Sequence, residues 1–319
     1  MNRRELLATG LVATGAILAG PGQAADDRDL AQRIGQPKGT RMLIIHADDV
    51  GMCRSVNLAT TRAMTEGVAT CGSVMVPCPW FPEIATWSKE HPEADLGLHL
   101  TLTSEWRHYR WRSVSPPDKV KGLLDPDGFM WRSVEDVVKH ASPEEVATEI
   151  KAQIDRARQF GMKPTHVDSH MGTLFADVRY FEVYTRVARE AGLMPMVLAP
   201  TPEVLAEAKE IGLEYTRLAR KLHSEGYVLL DQLSTGLKGG SLEERTDVFK
   251  KFVRGLKPGV TELIVHLAGN DDEIQHVTGN WAARFHDFTL CTDPALRRFL
   301  ADEGVKLVGY RDLLPLWKA

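Results

Sequence analysis

The chain has 319 residues, of which 43% are apolar and 26% charged, and this balance excludes a disordered, collagen-like or polytopic membrane protein. Its formal charge of −4, from 39 Lys and Arg against 43 Asp and Glu, argues against a nucleic-acid partner, because a basic surface holds such partners. A chain of this length forms either one large barrel or two ordinary domains.

The first 24 residues have the order of a cleavable export signal. The pair Arg3-Arg4 precedes an apolar run over residues 6–18, and small residues follow up to Ala24. The paired arginines indicate the twin-arginine route. A retained membrane anchor is the alternative, but the run is shorter than the ~20 residues that span a bilayer. We therefore expect an exported protein, periplasmic or extracellular, with no integral membrane segment once the signal is cleaved.

Beyond an N-terminal extension over 25–40, short apolar runs alternate with amphipathic stretches. In chain order the pattern predicts a strand over 42–47, a helix over 55–67, strands over 72–76 and 96–102, a long loop over 103–141, a helix over 142–160, a strand over 163–168, a helix over 177–191, a strand over 194–199, a helix over 202–224, a strand over 227–233, a helix over 241–255, a strand over 261–266, a helix over 294–302 and a strand over 305–308.

Two helix starts have especially clear signals. Ser142 and Glu145 form one capping box, and Ser241 and Glu244 form another. Strands alternating with helices, and no linker dividing them, predict an α/β fold. We expect a single, distorted (β/α) barrel of seven or eight parallel strands over residues 41–319.

The loop after the third strand is too long for an ordinary connection and is rich in aromatic residues. Loops of this kind at strand ends commonly line or cover a site. Its aromatic rings are candidates to stack on sugar faces, and packing of the loop onto the barrel is the alternative. These residues are Trp106, Tyr109, Trp111 and Trp131.

Four cysteines remain in the mature chain: Cys53, Cys71, Cys78 and Cys291. Export would permit disulfides, and the sequence leaves three full pairings open. Because their spacing matches no zinc motif, a thiolate metal site is not expected. We favour buried free thiols.

Acidic and imidazole side chains stand at the ends of two apolar strands. Asp48 and Asp49 follow the first strand, and His99 lies inside the third. Two adjacent carboxylates repel each other unless a cation or a shared proton offsets their charge. Taken singly, the carboxylates could form a solvated turn or helix cap, and His99 could be a core histidine.

The fourth strand carries the pattern His166-x-Asp168-x-His170, whose members point to one side of an extended strand. In a barrel the carboxyl ends of all strands meet on one face, so these groups converge with Asp48, Asp49 and His99. Asp plus two neutral imidazoles is a sufficient ligand set for one divalent cation, with open positions left for water.

Two later residues are further candidates. His266 ends the 261–266 strand, where it could donate a proton across the metal from Asp48. Arg284 could orient an acidic group by a bidentate contact. The chain lacks the motifs of serine hydrolases, nucleotide hydrolases and dinucleotide oxidoreductases.

Three ordered motifs resemble the YdjC-like carbohydrate deacetylases, which include chitooligosaccharide and hopanoid-biosynthesis deacetylases. They are Ile45-His-Ala-Asp-Asp-Val-Gly-Met, Gly97-Leu-His-Leu-Thr-Leu and Pro164-Thr-His-Val-Asp-Ser-His. The resemblance covers about residues 41–310. It implies a β/α barrel that uses a divalent cation, zinc or magnesium, to remove acetyl groups from N-acetylated sugars.

The same resemblance implies roles for individual residues. Asp49, His99 and His170 would bind the metal, Asp48 would be the base and His266 the acid. The family usually has Pro-Gly after this last histidine, where this chain has Leu267-Ala268. We also expect the substrate site to be lined by the four aromatic residues of the loop and by His166, Asp168 and Arg284.

Two other functions stay open. A metal-dependent hydrolase of another bond, a phosphoester or a glycoside, would use the same kind of site. A non-catalytic carbohydrate-binding protein on an inherited barrel would not need Asp48 or His266. The sequence leaves open whether the protein forms a homo-oligomer.

Overall fold

The protein's computed structural model describes residues 29–202, 204–206 and 215–317, so the predicted export signal lies outside the described residues. Within these ranges, eight parallel strands form one sheet. The strands are β1 Arg41–Val50, β2 Cys71–Val74, β3 Leu96–Leu100, β4 His166–Ser169, β5 Met194–Pro195, β6 Gln232–Ser234, β7 Gly259–His266 and β8 Lys306–Leu307.

The strands follow the order β5-β4-β3-β2-β1-β7-β6 around the sheet, and β8 pairs only with the start of β1. The two ends of this row approach each other next to β5 and β6. There Leu198 and Leu230 form a parallel bridge, and the Leu230 N–H donates to the Val197 carbonyl at 2.8 Å. The sheet therefore curls into a distorted (β/α) barrel, which confirms the predicted fold class.

Helices surround the sheet. They are α1 Leu30–Arg33, α2 Arg54–Thr65, α3 Phe81–Glu90, α4 Val134–His140, α5 Pro143–Gln159, α6 Val178–Glu190, α7 Tyr215–Ser224, α8 Leu242–Arg254, α9 Asp272–Val277, α10 Trp281–Thr292, α11 Pro294–Asp302 and α12 Tyr310–Leu313. Both predicted capping boxes are present, at Ser142 before α5 and at Ser241 before α8. Part of the helix predicted over 202–224 lies outside the described residues.

Some predicted elements have different bounds. The strand predicted over 227–233 is regular only at β6, because Leu230 makes an isolated bridge. Helix α10 was not predicted. Its buried residues include Arg284 and Asp287, so its inner face is partly polar and its apolar period is weak.

The interior of the barrel changes character along the strands. At the amino ends it is apolar, with Met42 and Ile44 of β1 packed against Met194 and Val260. The predicted N-terminal extension packs there too, since Leu30 of α1 belongs to the same cluster. Towards the carboxyl ends the interior becomes polar, and this end carries the candidate site.

The structure also bears on the expectations for the cysteines, for membrane-spanning helices and for the long loop. All four cysteines are buried and free, as favoured from the sequence. Among the helices of the described residues, none combines the length and apolarity needed to cross a bilayer. The loop over 103–141 contains two short 3-10 turns, Pro117–Lys119 and Lys121–Leu123, and ends in α4.

Candidate metal centre and active site

The end of β1 turns two consecutive carboxylates towards the same region. Neighbouring side chains of a strand ordinarily point to opposite faces. Here the pairing register with β2 shifts between Ala47 and Val50, and Asp49 adopts a left-handed backbone with φ of 63°. As a result Asp48 Oδ2 lies 3.7 Å and Asp49 Oδ1 3.5 Å from the same atom, His99 Nε2.

Asp49, His99 and His170 form a buried group with the spacing of metal ligands. Asp49 Oδ1 lies 3.5 Å from His99 Nε2 and 3.3 Å from His170 Nδ1. Ligand atoms on one tetrahedral zinc ion are about 3.4 Å apart, given bonds of roughly 2.1 Å. Asp49 Oδ1 is also buried without a hydrogen-bond partner, which is costly unless a cation occupies the space in front of it. These residues therefore fit a divalent ion.

Arg284 fixes the other oxygen of Asp49. Its Nη2 donates to Asp49 Oδ2 at 2.6 Å, while Nε and Nη1 are buried without a partner. The bidentate contact expected from the sequence is therefore wrong, and one oxygen of Asp49 stays available. Burial alone would raise the pKa of Asp49, but the guanidinium and the nearby imidazoles hold it well below its usual value.

Asp168 contacts the His99 ring nitrogen that points away from Asp49. His99 Nδ1 lies 2.8 Å from Asp168 Oδ1, and Ser73 Oγ donates to the other carboxylate oxygen at 3.0 Å. Burial opposes ionisation of Asp168, yet His99 lowers its pKa to about 2. We expected Asp168 to contact substrate. That expectation is corrected, because its carboxylate is buried and engaged with these two residues.

His170 lies just beyond β4, which ends at Ser169, and not on the strand as predicted. Its Nε2 lies 3.1 Å from Oε2 of Glu105, a residue that the sequence reasoning missed. Burial disfavours the charged ring, but Glu105 and Asp49 raise the pKa of His170 to about 10. The sequence feature that could have pointed to Glu105 is its position as an acidic residue immediately before Trp106 in the aromatic loop.

Asp48 is buried beside Asp49. Ser73 Oγ, whose single proton goes to Asp168, lies 3.5 Å from Asp48 Oδ1, and His46 Nε2 lies 3.8 Å from the same oxygen. Burial is the main cause that raises the pKa of Asp48 to about 7, and the neighbouring His99 opposes this rise. Asp48 therefore binds and releases a proton near neutral pH in the absence of a metal ion.

Beneath this layer, His46 bridges two buried polar groups. Its Nδ1 lies 2.6 Å from Glu262 Oε1, and the Tyr310 hydroxyl donates to Oε2 of the same residue at 2.5 Å. Its Nε2 lies 3.3 Å from His166 Nε2, and His166 Nδ1 is 2.8 Å from Thr165 Oγ1.

His166 does not line the substrate site, contrary to expectation. It is fully buried, its ring stacks on Tyr310 with centroids 3.8 Å apart, and it packs against Gly97. Two further groups with metal-ligand spacing share His46, one with Cys71 and His166 and one with Asp48 and Asp168. Hydrogen bonds already occupy the His46 nitrogens, whereas Asp49 Oδ1 has no partner, so the Asp49 group is the better metal site.

His266 stands at the open side of the site. Its Nε2 lies 3.9 Å from Asp49 Oδ2, and its side chain is 36% exposed, far more than the ligand candidates. Despite this exposure, the surrounding protein desolvates much of the ring, and this desolvation, together with the Arg284 guanidinium and opposed by Asp49, lowers the pKa of His266 to about 4. Asp287 of α10 binds the Arg245 guanidinium of α8 at 2.6 Å, so it ties these two helices together.

The four aromatic residues of the loop divide into two places. Trp106, Tyr109 and Trp111 contact one another with ring centroids 5.4 to 6.3 Å apart, and Trp111 lies 6.4 Å from the His170 ring. Trp131 instead stacks on His140 of α4 at 4.3 Å. Trp131 is half-buried and also packs against the apolar cluster that includes Leu100 of β3. These contacts favour packing of the loop onto the barrel, and a substrate contact of Trp131 stays a prediction.

Comparisons with known proteins identify the relatives of this chain. The family model described as YdjC-like protein matches residues 42–302. A carbohydrate deacetylase of Thermus thermophilus is 33% identical over 274 residues, which cover 86% of this chain and 94% of that protein. A chitooligosaccharide deacetylase of Yersinia enterocolitica is 25% identical over 284 residues, which cover 85% of this chain and 99% of its own.

One solved structure shows the same fold. It comes from Enterococcus faecalis V583, and its protein is named as a candidate for cellobiose-phosphate cleavage. The two chains superpose with a TM-score of 0.71 at 24% identity, over 86% of this chain and 99% of the other. The match of the family model, together with the relatives aligned over most of their length, shows that this chain belongs to the YdjC-like protein family.

Proposed function

We propose that this protein is a divalent-metal-dependent carbohydrate deacetylase that removes acetyl groups from an N-acetylated sugar or oligosaccharide. One observation carries the proposal: Asp49 presents a buried, unpartnered oxygen to His99 and His170 at the open end of the barrel. The relatives are named carbohydrate deacetylase and chitooligosaccharide deacetylase, and these names are the basis for the proposed substrate class.

Asp49, His99 and His170 would hold the metal. Two imidazoles in the set favour zinc over magnesium, since magnesium prefers oxygen ligands. A bound ion would supply Lewis acidity, which lowers the pKa of water and polarises the acetyl carbonyl. Arg284 orients the Asp49 carboxylate, and Asp168 orients the His99 ring so that its Nε2 faces the ion.

Asp48 is the proposed general base. It is the second carboxylate within 3.7 Å of His99 Nε2, and no arginine occupies its oxygens among the described contacts. A cation beside Asp48 favours its ionised form, which is the form that accepts a proton from water. Asp48 Oδ1 lies 3.8 Å from His46 Nε2, whereas its Oδ2 lies 3.7 Å from His99 Nε2 and so is the oxygen nearer the ligand group.

His266 is the proposed general acid, because it combines exposure to the open side of the site with proximity to Asp49. With a pKa near 4 its ring is neutral at rest. To donate to the leaving amine, the ring must first take up a proton from solvent, which the negative charge that develops on the attacked acetyl group favours, and then pass that proton to the amine nitrogen as the C–N bond breaks. The aromatic patch of Trp106, Tyr109 and Trp111 borders His170, and because Trp111 is buried, the half-buried Trp106 and Tyr109 are the proposed surface for a sugar ring.

The test is release of acetate from N-acetylated and O-acetylated oligosaccharides by the purified mature chain, with bound metal quantified in the same preparation. We expect acetate release that a chelator abolishes and zinc restores. Phosphate or reducing-sugar release without acetate would favour a hydrolase of another bond. Oligosaccharide binding that survives the chelator, with no product, would favour a carbohydrate-binding protein.

We also propose that the protein is exported through the twin-arginine route. The test replaces Arg3 and Arg4 by lysine in the full chain and measures where the protein accumulates. Retention of the variant and export of the wild type support the route, and equal export of both contradicts it.

A further inference from the structure

Glu105 links the aromatic loop to the candidate metal centre. It lies five residues after the end of β3, and its Oε2 is 3.1 Å from His170 Nε2. The His170 side chain is almost fully buried, whereas 22% of the Glu105 side chain is exposed. Glu105 thus reaches the buried ring from the loop, at the edge of the site.

The two nitrogens of His170 face different partners. Nδ1 lies 3.3 Å from the unpartnered Asp49 Oδ1, so this nitrogen faces the metal position. Nε2 faces Glu105, and a neutral ring that keeps Nδ1 free for a metal carries its proton on Nε2. That N–H then donates to the Glu105 carboxylate.

His99 has the opposite arrangement. Its Nε2 faces Asp49, and its Nδ1 faces the carboxylate of Asp168 at 2.8 Å. Each candidate ligand histidine therefore has a carboxylate on the nitrogen that points away from the metal position. Such a carboxylate fixes the tautomer and the orientation of a metal-binding ring and raises its basicity.

The backbone that carries Glu105 is tied down on both sides. The Ser104 N–H donates to the Trp131 carbonyl at 2.7 Å, and Ser104 Oγ accepts from the Trp111 N–H at 3.0 Å. Trp111 Nε1 donates to the Thr103 carbonyl at 3.0 Å. The carboxylate and the aromatic patch thus belong to one hydrogen-bonded segment, so displacement of the loop would also displace the support of His170.

We propose that Glu105 is a positioning residue that selects the Nε2–H tautomer of His170, so that His170 binds the metal through Nδ1 while His99 binds it through Nε2. This inference rests on the proposed function only in requiring a metal at Asp49, His99 and His170. It makes the metal affinity of the barrel depend on the placement of the aromatic loop.

The first test measures zinc affinity of the metal-free protein by competition with a chromophoric chelator, which needs no substrate. We expect Glu105→Ala to weaken zinc binding by about 10- to 100-fold. Glu105→Gln should lose less, because its amide oxygen still accepts from Nε2–H. Glu135→Ala is the matched control, since Glu135 is an exposed residue of α4, and it should bind zinc like the wild type. Circular dichroism of each metal-free variant checks that the fold is intact.

The second test reads the tautomers directly, from long-range proton–nitrogen correlation spectra of the zinc-loaded wild type. We expect His170 to carry its proton on Nε2 and His99 on Nδ1. A proton on Nδ1 of His170, or wild-type zinc affinity in folded Glu105→Ala, overturns the proposal. If only the proposed deacetylase function is wrong, zinc binding and both tautomers will be as expected, but no acetate will be released. A wild type that binds no zinc overturns both.

Discussion

The guanidinium of Arg284 lies 2.6 Å from Oδ2 of Asp49, across a sequence separation of 235 residues. The two oxygens of Asp49 therefore have different partners. Oδ2 binds the guanidinium, and Oδ1 faces the imidazoles of His99 and His170. In the absence of a metal, Arg284 is also the closest positive charge that offsets the buried Asp49.

The Arg284–Asp49 contact predicts a metal-dependent loss of stability. Replacing Arg284 by Met leaves a buried carboxylate without its cation, which typically costs about 3–5 kcal/mol. We expect the metal-free variant to unfold at lower denaturant concentration, and zinc to stabilise it more than the wild type, since the ion then supplies the missing charge. Arg186→Met, which removes an exposed pair with Glu190, should change little. Equal stabilisation of Arg284→Met and the wild type by zinc would contradict this account.

Asp48 and Asp49 are adjacent in sequence but are expected to differ in function. Asp49→Asn and His170→Ala each remove a proposed ligand and should weaken zinc binding by more than about 100-fold. Asp48→Asn should keep the metal and reduce kcat by roughly 10²- to 10⁴-fold, the range for loss of a general base. Metal content and acetate release measured on the same samples separate the two effects. Normal turnover in Asp48→Asn would reject its role as the base.

Trp106 and Trp131 offer a matched pair of tryptophans in one loop. Trp106 belongs to the patch beside His170, whereas the Trp131 ring stacks on His140 of α4. We expect Trp106→Ala to raise the KM for an N-acetylated oligosaccharide about tenfold, the equivalent of ~1.4 kcal/mol of lost stacking. Trp131→Ala should lower the melting temperature and leave KM near the wild-type value. The opposite pattern would remove the patch from the substrate site.

The charge of His46 should make the free energy of unfolding decrease as the pH rises from 6.5 towards 10. Burial disfavours its imidazolium, but Glu262 in direct contact, with Asp48 and Asp168 nearby, raises the pKa of His46 from 6.5 to about 10. His166 and Tyr310 also face this group, and neither adds a positive charge at neutral pH, because burial lowers the pKa of the first and raises that of the second. The folded state therefore holds a proton that the unfolded state has lost.

The stabilising contribution of His46 is complete below pH 6.5 and falls away as the pH rises towards 10, by up to about 1.4 kcal/mol per pH unit. Glu262→Gln removes the nearest carboxylate, so the pKa of His46 falls and the slope becomes shallower. Denaturant unfolding at several pH values from 6 to 9 measures this slope, with the exposed Glu243→Gln as control. Identical slopes in Glu262→Gln and the control would show that His46 is not the charged group.

Local patterns were readable without a structure. The capping boxes at Ser142 and Ser241 and most strand positions follow from side-chain spacing within one element. The convergence of Asp49, His99 and His170 was also predictable, because parallel strands of a barrel end on one face. The weakly periodic α10 was missed, because that helix buries polar residues towards the site.

Only the tertiary structure determined which side chains contact one another. Sequence spacing identified Arg284, His166, Asp168 and Trp131 as candidates, but it did not show that Arg284 binds Asp49, that Asp168 lies behind His99, or that His166 stacks on Tyr310 and Trp131 on His140. For Glu105 it offered only a position, directly before Trp106 in the aromatic loop. The chain itself determined which elements form and which chemical groups end the strands, because these depend on neighbours a few residues away. Which of these groups touch depends on strand register, the backbone turn at Asp49 and the path of a long loop, and only the packing of the whole chain fixes those.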